Sequence, residues 1–580
     1  MRPRGLGCMR LSTETARGDG LAVLTAALDA GVTLLDTADS YCLDDTEVGH
    51  NERLIARAIA GRTNVRVVTK GGLTRPGGAW VPNGRAKHLA AAARASRDRL
   101  GVIDVYLLHA IDPATPLATS VRALAKLRAE GIVRAIGLSN VLLTQLEAAE
   151  AITRIDAVEV ELSLYKLDAL RGGLVAACEA RGIELYAHRP LGGPAGVKRL
   201  AKDRAVAAIA QRLGATPHEV ALAWLRSLSP VIIPIPGATR VETAIARDIE
   251  LDDAAREWGQ TQVVQVAAAG QRRRVSDPAA EVVLVTGIPG AGKSTIAADY
   301  VARGYLRLNR DERGGSLLDL ARALDEAIAD GATKIVLDNT YPTRASRAPV
   351  IEIAHAHGLA ARCVVMQTQI EDAQRNAVAR MLAQHGRLLE PAELARAGNL
   401  GPGAQFRWRR EAEPPRADEG FDAIDEVPFA TREQVMQLNS DPSLLIELDA
   451  LVWVGRPSSP DKVQLKDGAR EALLAWSCTH AIAGTSWMPG VTREAFAALI
   501  DRLSDLLGVS IRAAHCAHPA GPPVCWCRKP LPGLALWLAH AHGLAHEFCV
   551  GSGAADKGFA RRAGVPFHDI ATGWPTPWDR

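Results

Sequence analysis

Along the chain, apolar and polar positions follow three successive rhythms. Over residues 1–260, short apolar runs alternate with amphipathic helical stretches. The runs are Thr33–Leu35, Val65–Val68, Val105–Leu108, Ala135–Leu138, Val158–Leu162, Glu184–Ala187 and Val231–Pro236. Strand-length runs separated by helices, repeated over about 250 residues, predict a (β/α)8 TIM barrel. The rhythm breaks at Val264–Ala280, where Ala-Ala-Ala-Gly-Gln-Arg-Arg-Arg is followed by Ser-Asp-Pro, the composition of a linker. A second α/β unit opens with the strand Val282–Thr286, a Gly-rich turn and a helix, and closes on a strand around Ile424–Phe429. A third α/β pattern starts at Leu444 and runs to the end. The expected organisation is a barrel over 1–263, a linker over 264–280, and α/β domains over 281–438 and 439–580.

Length and composition agree with several domains, since 580 residues exceed what one core supports. Charged residues are 23% of the chain and the net charge is +3, an ordinary globular balance that points to no polyanion by itself. No apolar run reaches the roughly 18 residues that cross a bilayer, and the first residues lack a secretory signal pattern. The expectation is a cytoplasmic protein without a membrane partner. Three of nine cysteines crowd into residues 516–527, which suits a metal site in a reducing compartment better than disulfides.

In the first region Asp36 and Tyr41 (Leu-Leu-Asp36-Thr-Ala-Asp-Ser-Tyr41), Lys70 (Val-Val-Thr-Lys70) and His109 (Leu-Leu-His109) sit where strands should end. In a barrel these ends converge on one face. A lysine beside a tyrosine is expected to lower the phenol's pKa, so that it can protonate a carbonyl oxygen receiving hydride. Asp36 would hold the lysine and His109 would orient the substrate. This set, with Gly137-Leu138-Ser139-Asn140 and Ile235-Pro-Gly237-Ala238, resembles the aldo-keto reductases over nearly all of residues 5–250. The resemblance implies NADP(H) as cofactor, with Ser139 and Asn140 on the nicotinamide carboxamide, Gly237 in the binding loop and Arg240 at the 2′-phosphate. Two positions depart from the family. Glu159-Val160 replaces an amide pair beside the nicotinamide, and His188 replaces the tyrosine that stacks on it.

The second region carries Gly287-Ile-Pro-Gly290-Ala-Gly292-Lys293-Ser294-Thr295 between a strand and a helix. In that context it reads as a P-loop for ATP. The glycines bare N–H groups to phosphate, Lys293 bridges the β- and γ-phosphates, and Ser294 ligates Mg2+. Asp311, in Leu308-Asn309-Arg310-Asp311, is placed to take a proton from an attacking hydroxyl. Asp338 and Asn339 end a buried strand at the sheet's carboxyl edge, where α/β ligands bind. Arg375 and Arg380 lie on a helix that could close over ATP. These motifs, with Glu413-Pro-Pro, Glu419-Gly-Phe421 and Val427-Pro-Phe429, resemble the kinase domain of polynucleotide kinase, a P-loop α/β/α sandwich. The resemblance implies 5′-OH ends of RNA or DNA as acceptor, with Asp311 as general base. Arg310, Arg313, Arg344 and Arg347 are candidates for strand phosphates. Arg407-Trp408-Arg409-Arg410 reads either as a stacking platform or as a solvated helix face.

In the third region Cys516-Ala-His518 and Cys525-Trp-Cys527 offer four ligands suited to tetrahedral Zn2+. Followed by Arg528-Lys529-Pro530, they resemble the zinc-bearing phosphatases of the haloacid dehalogenase superfamily, a HAD-like Rossmannoid α/β fold. That superfamily's Asp-x-Asp is Glu447-Leu-Asp449 here, and Ser552 stands at a Mg2+-binding aspartate position before Asp556. The extra methylene misplaces an in-line nucleophile by about an ångström, which costs on the order of 100-fold. A phosphatase-type domain without phosphatase activity is expected, with Thr485 and Lys529 as remaining phosphate-binding candidates. The whole chain then reads as a nucleic-acid 5′-kinase joined to a reductase-like barrel. The alternative is a small-molecule enzyme that reduces a carbonyl compound and phosphorylates the alcohol. A third reading makes the barrel a nicotinamide sensor.

Overall fold

The computed structural model describes residues 3–15, 18–245, 247–263, 279–394, 396–429, 440–521 and 525–577. Most of the linker expected over 264–280 therefore lies outside the described residues. The chain divides into two compact units. One holds Met1–Arg272 with Leu317–Asp325 and Thr343–Ala356, and the other holds Arg273–Ser316, Glu326–Pro342 and His357–Arg580.

The first unit contains eight parallel strands in chain order: Gly5–Gly7, Leu34–Asp36, Arg66–Gly71, Val105–Leu108, Ala135–Ser139, Ala157–Glu161, Glu184–His188 and Ile232–Ile235. A parallel bridge from Gly7 to Gly237 brings the last strand back to the first, so the sheet is a nearly closed barrel. Leu34, Val68, Val105, Leu107, Ala157, Tyr186, Ile233 and Ile235 form its inner core. Close strand contact requires glycine at 137, because a Cβ there would meet the Ala157 carbonyl oxygen at 2.2 Å. A hairpin, Leu73–Thr74 with Val81–Pro82, follows the third strand and extends beyond the barrel's carboxyl end.

The second unit carries two five-stranded parallel sheets. The first runs Leu306–Leu308, Lys334–Asp338, Glu281–Thr286, Ala360–Gln367, Ala423–Pro428. Its central strand enters the glycine-rich turn and the helix Lys293–Ala302. The second sheet runs Ile511–Cys516, Ala481–Trp487, Asp441–Glu447, Leu544–Gly551, Phe567–Asp569. Within this unit the helix Ile370–His385 is apolar toward the C-terminal sheet's loops. Its Ala377, Val378, Met381 and Leu382 cluster with Trp526 and Leu531, while Trp526 Nε1 donates to the Leu400 carbonyl at 3.2 Å. Among the described residues, no helix is long and apolar enough to cross a membrane.

Candidate functional site

At the carboxyl end of the barrel, Lys70 is completely buried. Its ammonium donates to Asp36, to the Thr37 carbonyl at 3.1 Å and to the Tyr41 hydroxyl at 3.2 Å. Glu159 Oε2 lies 3.1 Å from the same nitrogen. Two neighbouring strands, one from across the barrel and one loop thus focus two carboxyls and a phenol on one cation. The paired carboxyls hold Lys70 charged against the cost of its burial. The sequence led us to expect a lowered Tyr41 pKa. Instead burial pushes the phenol up, outweighing Lys70, because no water reaches it and Asp36 and Glu159 add negative potential. Tyr41 is therefore held as the neutral acid, the form that can donate a proton.

His109 stands edge-on to Tyr41, ring centroids 5.5 Å apart, with Nδ1 3.3 Å from Ser40 Oγ. Burial and the Lys70 charge push its imidazole well down, so it is neutral. Asn140 takes a positive φ of 59° that lets Nδ2 donate to the His109 carbonyl at 3.0 Å and to Ser139 Oγ at 3.1 Å. His188 Nε2 is 3.1 Å from Asn140 Oδ1, so this ring is tethered to the site's polar edge. Arg240 is exposed and has no ion-pair partner among the described residues. Trp80, from the hairpin, closes a triangle with Tyr41 and His109 at 6.3 and 6.1 Å and carries the Arg75 guanidinium on its face.

In the nucleotide-type loop, Gly287, Gly290 and Gly292 all have positive φ, and Lys293 Nζ donates back to the Gly287 and Ile288 carbonyls at 3.0 Å. Burial pushes this ammonium down to about 8, against the pull of Asp338 and Asp311 and with the push of Arg380. Ser294 and Thr295 are exposed at the helix start. The loop is held from outside by Asn376 Nδ2 on the Gly290 carbonyl (3.0 Å) and Gln405 Nε2 on the Pro289 carbonyl (2.8 Å). Asp338 is buried between Arg307, at 2.8 Å, and Asn309. Asn309 also caps the turn that presents Asp311, accepting from the Asp311 N–H at 2.7 Å. Asp311 is exposed beside Arg310, and Arg313 is exposed next to it. The Asn339 amide nitrogen is buried and unpartnered at the same strand end.

Several predicted contacts fall elsewhere. Arg375 pairs with Asp372 and lies against Gly564 rather than facing the loop, because it shares the helix face turned toward the C-terminal sheet. Arg344 lies beside Gly173 within the first unit, and Arg347 is fully buried. Trp408 packs into the loop's apolar core and donates to the Thr340 carbonyl at 3.2 Å, which removes it as a stacking platform. Arg407, Arg409 and Arg410 remain exposed around it.

In the C-terminal sheet, the ligand atoms of Cys516, His518, Cys525 and Cys527 lie within 4.8 Å of one another. The sulfur–sulfur distances of 3.4 and 3.8 Å bracket the edge of a tetrahedron with metal–sulfur bonds of about 2.3 Å. His518 turns Nδ1 to the sulfurs, 3.3 Å from Cys527, and Nε2 to Glu390 at 2.8 Å. That is the outer carboxylate expected behind a metal-bound histidine. At the strand ends nearby, Lys529 contacts Glu447 and, at 2.9 Å, Asp556. Asp449 is tied down by Ser486, Trp453 and Arg456 at 2.6, 3.2 and 3.2 Å.

Residues 5–247 match the model of the Aldo/keto reductase family, and residues 282–396 match that of an AAA domain. Residues 5–247 are an aldo/keto reductase domain. Residues 282–396 are a P-loop kinase-like domain. Among solved structures the chain is similar to a thermostable aldo-keto reductase bound to epalrestat, at 27% identity over 45% of this chain and 95% of that one (TM-score 0.39). It is also similar to an aldo-keto reductase from Klebsiella pneumoniae in complex with NADPH, at 25% identity over 45% and 90% (TM-score 0.39). A third is the glycerol dehydrogenase of Gluconobacter oxydans, at 23% over 45% and 91% (TM-score 0.40).

Within the reductase domain the sequence reading omitted Trp80, which no strand-end motif marks. In the kinase-like domain it omitted Arg307, Asn376 and Gln405. Arg307 could have been found: on a three-residue strand it alternates with two leucines, so it points to the face opposite theirs.

Proposed function

We propose that the chain joins an NADP-dependent carbonyl reductase to an ATP-dependent polynucleotide 5′-hydroxyl kinase, with a metal-bearing C-terminal domain that does not hydrolyse phosphate. What most supports the kinase is a phosphate loop, Gly287 to Lys293, opening a helix at the carboxyl end of the sheet, with Asp338 and the Asn309-capped turn of Asp311 at neighbouring strand ends. Asp311 would take the proton of the attacking 5′-hydroxyl, while Lys293 and Arg380 spread the charge of the phosphoryl group in flight. Asp338, already committed to Arg307 and Asn309, fixes the Asp311 turn rather than reacting. Arg313, Arg407, Arg409 and Arg410, which are exposed, and half-buried Arg310 would supply guanidinium groups for strand phosphates.

In the reductase domain, NADPH when bound supplies the hydride. Ser139, Asn140 and His188 would hold its nicotinamide, and Gly237 and Arg240 its adenosine end. Tyr41 gives the proton and neutral His109 orients the carbonyl oxygen. Cys516, His518, Cys525 and Cys527 would hold Zn2+ in a closed structural site. Glu447 in place of the usual aspartate, locked to Lys529, supports a silent phosphatase site.

The test is transfer of labelled γ-phosphate from ATP and Mg2+ to 5′-OH RNA and DNA oligonucleotides, with wild type beside Lys293→Ala and Asp311→Ala. Transfer lost in both variants supports the kinase and ranks RNA against DNA. ATP hydrolysis without transfer to any oligonucleotide overturns it in favour of a small alcohol as acceptor.

A further inference from the structure

Among the buried titratable groups that the mechanism above leaves unused, Glu159 is the one in contact with Lys70. Glu159 is 3% exposed and lies on the wall of the barrel, against Lys70 and within hydrogen-bonding reach of Asp36. Two carboxyls and one ammonium in a dry site carry a net negative charge unless a proton is shared. Two carboxyls in contact cannot both be ionised cheaply. Among the described residues no second cation pairs with them. The groups facing Glu159 are Asp36 and Lys70 from the strands Leu34–Asp36 and Arg66–Gly71, Tyr41 from the loop beyond, Ser139 and Tyr186 at its level on the flanking strands, and Cys8, His109 and His188 around them. Both histidines are held neutral by burial, His188 down at about 4. The Tyr186 hydroxyl donates away, to Glu184 at 2.6 Å.

We infer that Glu159 is a second proton carrier behind Tyr41, coupled to it through Lys70. This inference rests on the reductase reading. As hydride from a reduced nicotinamide adds to the carbonyl carbon, the Tyr41 O–H bond breaks and its proton goes to the carbonyl oxygen. The resulting phenolate takes a proton from the Lys70 ammonium, and the Lys70 amine takes one from the Glu159 carboxyl. The site ends with neutral Tyr41, charged Lys70 and ionised Glu159, which is reprotonated along the same path when product leaves. In the oxidative direction each transfer reverses, and ionised Glu159 accepts the proton. Burial and the Asp36 charge hold the Glu159 carboxyl up at about 8. The store is therefore full at neutral pH and empty in alkali.

Two measurements on the full chain test this. The first is infrared difference spectroscopy between pH 6 and pH 10, without cofactor. Wild type should lose buried protonated-carboxyl bands with a midpoint near pH 8, and Glu159→Gln should lose only the part due to Asp39, whose carboxyl is also held up at about 8 by burial. An identical loss in the variant overturns the proposal. The second is the pH profile of NADPH-dependent reduction of 4-nitrobenzaldehyde. The wild-type rate should fall through the same midpoint, and Glu159→Gln should abolish that inflection while Glu159→Asp retains it. A variant profile that superimposes on wild type overturns the relay. If wild type binds NADPH and shows the band but reduces no aldehyde, the reductase reading fails and the relay fails with it. Should Glu159→Gln not fold, 13C-labelled glutamate in wild type still assigns the band to a glutamate or excludes it.

Discussion

Lys70→Met provides the sharpest check on the barrel's electrostatics. The side chains of Lys70, Asp36 and Glu159 are 0%, 4% and 4% exposed, so among the described residues the ammonium is the one cation paired with two buried carboxyls. Methionine keeps the length and the apolar stem but removes the charge. Breaking a buried ion pair by deleting one partner costs about 3–5 kcal/mol, because the other partner is left uncompensated. For a domain of this size that lowers the unfolding temperature by about 6–20 °C. The sign of the pH dependence follows from the carboxyls. Asp36 and Glu159 are already held above their unfolded values, and without Lys70 they rise further. The folded state then binds more protons than the unfolded state, and stability is lost as pH rises from the ordinary carboxyl range upward. The assay is calorimetric unfolding of the full chain at pH 6 and pH 9, following the transition that NADPH shifts. The deficit should be larger at pH 9. Adding Glu159→Gln to Lys70→Met should recover a large part of it, since removing a second charged member leaves only one carboxyl to protonate. A Lys70→Met transition equal to wild type at both pH values, or a double variant no better than the single, would refute the reasoning.

Other outcomes follow from the same geometry. In Gly290→Ala the new Cβ meets the Ala373 carbonyl oxygen at 2.3 Å at a φ of +91°, so ATP binding measured by calorimetry should be lost while the reductase domain still binds NADPH. Purified chain should carry one zinc by mass spectrometry under native conditions. Glu390→Ala, which removes the partner of His518 Nε2, should weaken zinc about 10–100-fold in chelator competition. Trp80→Ala removes an aromatic wall beside Tyr41 and His109, and should raise KM for aromatic aldehydes more than it lowers kcat.

The sequence exposed the barrel because strand-end chemistry and apolar runs coincide: Asp36, Lys70 and His109 each close a run of strand residues. It did not expose the first strand, Gly5–Gly7, which has a single apolar residue and is specified by pairing with Leu34–Asp36. The P-loop was legible because glycine at positive φ and lysine at a helix start have few other uses. Arg375 was not, since helical periodicity gives a face but not its partner, and two surfaces compete for that helix. Trp408 misled for a similar reason. Interleaved cations suggest solvent, yet the ring is drawn inward by Phe406 and the Thr340 carbonyl. The proton shared around Lys70 was invisible because it depends on Glu159 facing Asp36 across the barrel, a relation no spacing encodes.

The helix Ile370–His385 is buried from both sides, its Ala373 and Asn376 under the phosphate loop and its Val378 and Met381 under Trp526 and Leu531. The C-terminal residues Trp526 and Leu531 are therefore part of what keeps this helix, and with it Gly290, in place. A chain ending at Phe429 would leave an apolar stripe bare along the element that holds Gly290. Such a fragment should clump rather than transfer phosphate. The C-terminal sheet's loops thus cover an apolar stripe that the phosphate loop's own side of the helix leaves open.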